Sequence, residues 1–228
     1  MELVDKLSNR QYIDGEWVES SNKNTRDIIN PYNQETIFTV AEGTKEDVER
    51  AILAARRSFE DGEWSLETSE VRGKKVRAVA DKIKENREEL AKLETLDTGK
   101  TLEESYADMD DIHNVFMYFA GLADKDGGEI INSPIPNAES KVVKEPVGVV
   151  TQITPWNYPL LQASWKIAPA LATGCSLVMK PSEITPLTTI RVFELMEEVG
   201  FPKGTINLVL GAGSEVGDVM SGHEEVDL

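Results

Sequence analysis

Two short apolar runs restrict most what this chain can become. The first, Val147 to Ile153, halts at Pro155-Trp-Asn-Tyr-Pro159, and the second, Ser176 to Met179, halts at Lys180-Pro-Ser-Glu183. Between them, about Leu160 to Ala172 has the length and spacing of a helix. Runs this short and this apolar are strands buried on both faces, and a strand–helix–strand unit of that kind belongs to a parallel sheet. Proline ends a ladder because it has no amide proton to donate. Polar side chains therefore collect at the carboxyl edge of the sheet, where open α/β folds bind ligands.

The pattern repeats downstream, with a helix expected over about Leu187 to Val199, a strand over Thr205 to Leu210 and a helix over about Ser214 to Ser221. Three βα units in a row predict the α/β class, a doubly wound Rossmann-like parallel sheet with right-handed crossovers. Upstream the pattern is helical. Thr44-x-x-Asp47 and Thr101-x-x-Glu104 have the form of capping boxes. The first opens an amphipathic helix through Val48, Ile52, Ala55 and Phe59, and the second opens the stripe Met109, Ile112, Phe116, Phe119. Between them lies a helical region from about Ser69 to Leu96 with a break near Asn86. Residues 11–43 alternate short apolar and polar groups between turn signals, an arm of short strands in which no chemistry is expected. The expected division is residues 1–127 for the arm and helical part, 128–146 for a turn-rich segment ending in the half-exposed strand at Ser140, and 147–228 for the βα units.

Charge narrows the function. Forty-one acidic residues against 24 basic ones give a formal charge of −17, which repels phosphate backbones and anionic lipid surfaces, so neither nucleic acid nor membrane is an expected partner. No stretch approaches a membrane span, and the first residues lack the blocks of a secretory signal. One cysteine, Cys175, permits no intrachain disulfide and fits a reducing compartment, so a cytoplasmic location is expected.

Several residues can carry chemistry, each with a plainer alternative. The third strand runs into Gly211-Ala-Gly-Ser-Glu-Val-Gly217, where glycines permit close backbone approach to an anion. The spacing is one residue longer than the dinucleotide fingerprint, so phosphate binding and simple helix-on-sheet packing both stay open. Lys180 and Glu183 leave the second strand through Pro181, expected to turn both outward. An ammonium and a carboxylate so placed can hold a vicinal diol such as an adenosine ribose, and a surface ion pair is the even alternative. Asn157, between Pro155 and Pro159, can offer its NH₂ to a developing oxyanion, although asparagine more often caps its own turn. Tyr158 and Trp165 can wall a substrate pocket or merely pack. Cys175 starts a buried strand with no His nearby in sequence, which favours a structural thiol, and His113 and His223 fit no metal-ligand pattern.

Tyr12-Ile-Asp-Gly-Glu-Trp17, Asn30-Pro31, Glu94-Thr-Leu-Asp-Thr-Gly-Lys100, Glu145-Pro-Val-Gly148, Pro155-Trp-Asn-Tyr-Pro159, Trp165-Lys-Ile-Ala-Pro-Ala-Leu-Ala-Thr-Gly174, Lys180-Pro-Ser-Glu183 and Gly200-Phe-Pro-x-Gly204 together resemble the N-terminal part of the NAD(P)-dependent aldehyde dehydrogenase superfamily. The resemblance covers nearly the whole chain. It implies NAD-dependent oxidation of an aldehyde to its acid through a cysteine thiohemiacetal, with NADP as the other cofactor choice. By position, it makes Asn157 the oxyanion donor and Lys166 a proton-relay lysine. It makes Lys180 and Glu183 the ribose ligands, with Ile153, Thr154, Pro155, Trp156, Ser182, Gly213 and Gly217 around the cofactor. It also implies a structural monovalent cation, K⁺ or Na⁺, at Asp97 with backbone carbonyls of Ile28 and Ile184. The segment Ser140 to Pro146 is similar to the strand that joins subunits, which implies a dimer or tetramer.

Tyr158 with Trp165 is similar to the aromatic box of the subgroup that oxidises betaine aldehyde to glycine betaine, where π faces hold a trimethylammonium group. Another small aldehyde is the alternative substrate. Family members carry their general base and cysteine nucleophile beyond the position of Leu228, and Cys175 does not match that nucleophile. The 228 residues are thus expected to be a truncated portion, inactive alone, with a non-catalytic nucleotide-binding or assembly fragment as the competing class.

Overall fold

The computed structural model of the chain describes residues 3–125 and 127–228. The N-terminal arm forms a hairpin, β1 (Gln11–Ile13) and β2 (Glu16–Val18), and a second ribbon, β3 (Thr25–Ile29) and β4 (Thr36–Ala41). Helices α1 (Lys45–Asp61), α2 (Ser69–Glu85), α3 (Arg87–Thr98) and α4 (Leu102–Leu122) follow. Both expected capping boxes form, at Thr44 with Asp47 and at Thr101 with Glu104. The break near Asn86 is real: its backbone N–H closes α2 on Lys82 and its side-chain amide donates to the same carbonyl, while α3 starts at the next residue.

A hairpin of β5 (Glu129–Ile131) and β6 (Ser140–Val142) stands apart from the rest and exposes Ile130, Val142 and Val143. Then come β7 (Val149–Ile153), α5 (Pro159–Thr173), β8 (Ser176–Lys180), α6 (Leu187–Val199), β9 (Ile206–Leu208), a π-helical turn Gly213–Gly217 and α7 (Asp218–Gly222). The third strand is shorter than expected. Thr205 N turns back to Pro202 O, and Leu210 N is taken by the side chain of Gln11 rather than by β8.

The main sheet has the order β2-β1-β9-β8-β7, with β7, β8 and β9 parallel and the arm hairpin added antiparallel on β9. Alternation along the strands divides the core. Leu177 and Met179 face one side, packed with α2 to α6, whereas Val178 faces the other with Val48, Ile52, Val149, Val209 and Met220 of α1, the sheet and α7. Helices therefore cover both faces. Successive crossovers through α5 and α6 lie on one face as the strands step in one direction, as same-handed connections require. After α7 the chain returns along the outer edge of β7, where Asp227 N donates to Val149 O and Thr151 N to Leu228 O. Among the described residues no helix is long and apolar enough to cross a membrane.

Glu94 on α3 joins the helical part to α6. It is wholly buried, accepts 2.6 Å from Thr188 Oγ1 and lies 3.7 Å from Lys100 Nζ. Burial pushes its carboxyl up to about 7, against the downward pull of Thr188 and Lys100. An unfolded Glu titrates near about 4.3. Since the folded value is the higher, this group's contribution to stability is complete below the unfolded value and is lost as pH rises through the folded one. Glu94→Gln should accordingly flatten the fall in Tm between about pH 4 and 7, which thermal melts across that range would measure.

Candidate functional site

The carboxyl edge of the sheet assembles most of the expected residues. Ile153 stands opposite Lys180 in register, and Thr154 N donates to Lys180 O at 3.1 Å. Pro155 and Pro181 then end both strands, so the chains diverge and the edge opens. Lys180 corrects one expectation. It is 2% exposed rather than turned outward, because its stem continues into the sheet edge beneath Gly217. Its ammonium donates to Pro181 O at 3.0 Å and to Glu183 Oε2 at 3.4 Å. An ammonium has three donors, so among the described residues one is left over. Burial pulls the Lys180 amine below its ordinary value, more strongly than the Glu183 and Glu42 carboxylates restore it. Burial pushes the Glu183 carboxyl up. Its own backbone hydrogen bond and the charges of Lys180 and Arg26 outweigh that, and it ends below the ordinary carboxylate value.

The glycine turn closes over this pair. A Cβ on Gly217 would meet Ile153 Cδ1 at 3.7 Å and Lys180 Cδ at 3.9 Å, whereas one on Gly213 would find nothing within 4 Å. Gly217, Ile153, Lys180 and the half-exposed Glu183 thus share one ledge, open above Gly213. Of the turn's amides, Glu215 and Val216 are already spent on Ala212 O. Ser182 and Thr154 are buried beside the ledge, while Pro155 and Trp156 are exposed at its rim.

Asn157 lies exposed in the turn between β7 and α5, steadied by Thr185 Oγ1 donating to Trp156 O at 3.3 Å. Among the described residues its carboxamide has no hydrogen-bond partner, which removes the alternative that it caps its own turn. Tyr158 precedes Pro159, the first residue of α5. Leu161 and Trp165 share one face of α5 and line a groove of about 510 Å³ with Asp111 and Tyr118, and Tyr158 stands just ahead of the helix. One face of the Tyr158 ring is taken by Lys100 Nζ, 4.2 Å from its centroid. Lys166 is not gathered with Lys180 and Glu183. It lines a separate cavity of about 380 Å³ along the outer edge of β7, with Gln152, Trp165 and Cys175.

Asp97 is wholly buried. One carboxylate oxygen accepts from Leu187 N at 2.8 Å and so caps α6, while among the described residues Oδ1 has no partner. Burial pushes this carboxyl well up, and an unpartnered buried oxygen suits a cation. Ile28 is buried and Ile184 is exposed. Among the described residues no group of three or more His, Cys, Asp or Glu could hold a metal. Cys175 is buried, as expected. His113 Nδ1 donates to Ala80 O at 2.9 Å, and His223 meets Glu49 at 2.7 Å, ties that serve packing.

Sequence reasoning missed Arg26 and Glu42, in the arm where no chemistry is expected. Arg26 grips Glu42 through two bonds of 2.5 and 2.7 Å, and Glu42 Oε1 accepts from Ala212 N at 3.2 Å. No local pattern announces a contact between residues 170 positions apart.

The profile described as the aldehyde dehydrogenase family matches residues 17–228. The betaine aldehyde dehydrogenase of Bacillus subtilis (strain 168) is 65% identical over 222 residues, covering 97% of this chain and 45% of that protein. A peroxisomal aminoaldehyde dehydrogenase of Pisum sativum is 46% identical over 229 residues, again 97% of this chain and 45% of the relative. A crystal structure of betaine aldehyde dehydrogenase from Staphylococcus aureus in complex with NAD⁺ superposes with a TM-score of 0.99 at 89% identity, covering 100% of this chain and 45% of that one. The chain thus spans about 45% of the length of the curated relatives it matches. It belongs to the aldehyde dehydrogenase family.

Proposed function

We propose that this chain is the cofactor-binding portion of an NAD-dependent aldehyde dehydrogenase that converts betaine aldehyde to glycine betaine in the cytoplasm. The observation that carries the proposal is the ledge at the carboxyl edge, where the spare donor of Lys180, the carboxylate of Glu183 and the open glycine turn face one space. Lys180 donates to, and Glu183 accepts from, the hydroxyls of an adenosine ribose. Gly217 and Ile153 form the floor, and Gly213 lets the backbone pass close to the adenine. When bound, NAD⁺ supplies the hydride acceptor. Glu183 carries a negative charge where the extra phosphate of NADP would lie, which favours NAD. The unpartnered NH₂ of Asn157 donates to the aldehyde oxygen as charge develops there after a thiolate adds to the carbonyl. Cys175 is too buried to be that thiolate.

Lys166 relays protons along the cavity at the outer edge of β7. Asp97 Oδ1, with carbonyls near Ile28 and Ile184, holds a monovalent cation. The β5–β6 hairpin, with Ile130 82% and Val143 70% exposed, covers its apolar side against a second copy in a dimer or tetramer. Tyr158 and Trp165 wall the aldehyde site.

In the enzyme that carries this chain, Asn157→Ala should lower turnover by about 10² to 10³, the loss typical of one oxyanion donor, and an unchanged rate would remove Asn157 from the mechanism. Glu183→Ala should weaken NAD binding in calorimetry; equal affinity would return Glu183 to a simple ion pair. The ratio of kcat/KM for betaine aldehyde over a neutral aldehyde of similar size should exceed one and fall on Trp165→Ala. A ratio of one in the wild-type enzyme would favour another small aldehyde.

A further inference from the structure

If the turn Gly213–Gly217 is the floor beneath the adenosine end of the cofactor, as proposed above, whatever fixes that turn also sets cofactor affinity. The N-terminal arm does the fixing. Gly43 N donates to Leu210 O at 2.8 Å, Leu210 N to Gln11 Oε1 at 3.1 Å and Ala212 N to Glu42 Oε1 at 3.2 Å. The two backbones cross at glycines. A Cβ on Gly43 would sit 2.3 Å from Leu210 O, and Gly211, at φ +141, would press a Cβ to 3.1 Å from Gly43 O. The chain entering the turn is thus held by the arm at two residues, twice at Leu210 and once at Ala212, and the bond nearest Gly213 is to a carboxylate.

We propose that Glu42 is a positioning residue for the adenosine-binding turn, with Arg26 as its anchor. The Arg26 guanidinium grips both carboxylate oxygens and leaves one of them directed at Ala212 N, so side-chain freedom is lost in folding rather than on binding. The pair is largely shielded, at 33% and 20% exposure, and solvent screens it only in part. Glu42 also restrains Arg26. The guanidinium charge already contributes to holding the Glu183 carboxyl low. Loss of Glu42 therefore weakens the adenosine site through the slackened turn.

Calorimetry on the enzyme that carries this chain, with NAD and with AMP as a probe of the adenosine end alone, tests this. Glu42→Ala should raise the Kd of NAD and of AMP by the same factor, about tenfold for one charge-assisted bond, while the KM for aldehyde stays put. Glu42→Gln and Arg26→Met each keep an oxygen for Ala212 N but break the ion pair, and should raise both Kd values by about threefold. Unchanged AMP affinity in Glu42→Ala, or a loss for NAD without one for AMP, would overturn the role. Should Glu42→Ala not fold, unchanged AMP affinity in Glu42→Gln overturns it equally. A wild-type enzyme that binds neither NAD nor AMP would instead sink the cofactor reading itself.

Discussion

The last bond of the parallel ladder, Thr154 N to Lys180 O, is the constraint on which the carboxyl edge depends. It brings two chain ends level, and both then reach a proline one residue later. The ladder cannot continue, so one chain swings out to present Asn157 and the other folds Lys180 back beneath the glycine turn. Burying an ammonium there is tolerable only with partners, since removing one from a buried pair costs roughly 3–5 kcal/mol. Pro181 O and Glu183 supply them. The charge that would serve a ligand is thus the one the fold must satisfy when no ligand is present.

Much of this was legible from local pattern. Both capping boxes, the break at Asn86 and the bounds of α6 follow from side chains within a few residues of one another. The burial of Cys175 follows from its place ahead of the buried run Leu177-Val-Met179. What was not legible is non-local. The outward path expected for Lys180 failed because Gly217, far along the chain, closes over its stem. The free state of the Asn157 carboxamide is equally invisible in sequence, because proline-flanked turns permit either a bonded or an unbonded side chain. Lys166 has helical neighbours in the sequence that say nothing of its separation from Lys180 by the body of β7.

The arm shows the same limit in another form. Its alternation marks strands, and strands form. That β1 joins the edge of the main sheet depends on Tyr12 pairing with Leu208 and on side-chain bonds between Asp14 N and Asn207 and between Leu210 N and Gln11, contacts that no nearby residue announces. Glu42 matters only because that docking carries β4 to the glycine turn. A segment that reads as a decorative start is therefore part of the ligand edge, through hydrogen bonds to backbone rather than through any motif.

The return of Asp227 and Leu228 to the outer edge of β7 has a consequence for where a ligand can lie. Connections from β7 toward β8 run over one face through α5, whereas the chain reaching the opposite edge of β7 has come over the other face through α7. The paths to the two sides of β7 thus come from opposite faces of the sheet, and where helices leave to opposite faces the carboxyl end of a strand stays uncovered. The Pro155–Pro159 turn, with Asn157 at its centre, leaves the sheet from that strand.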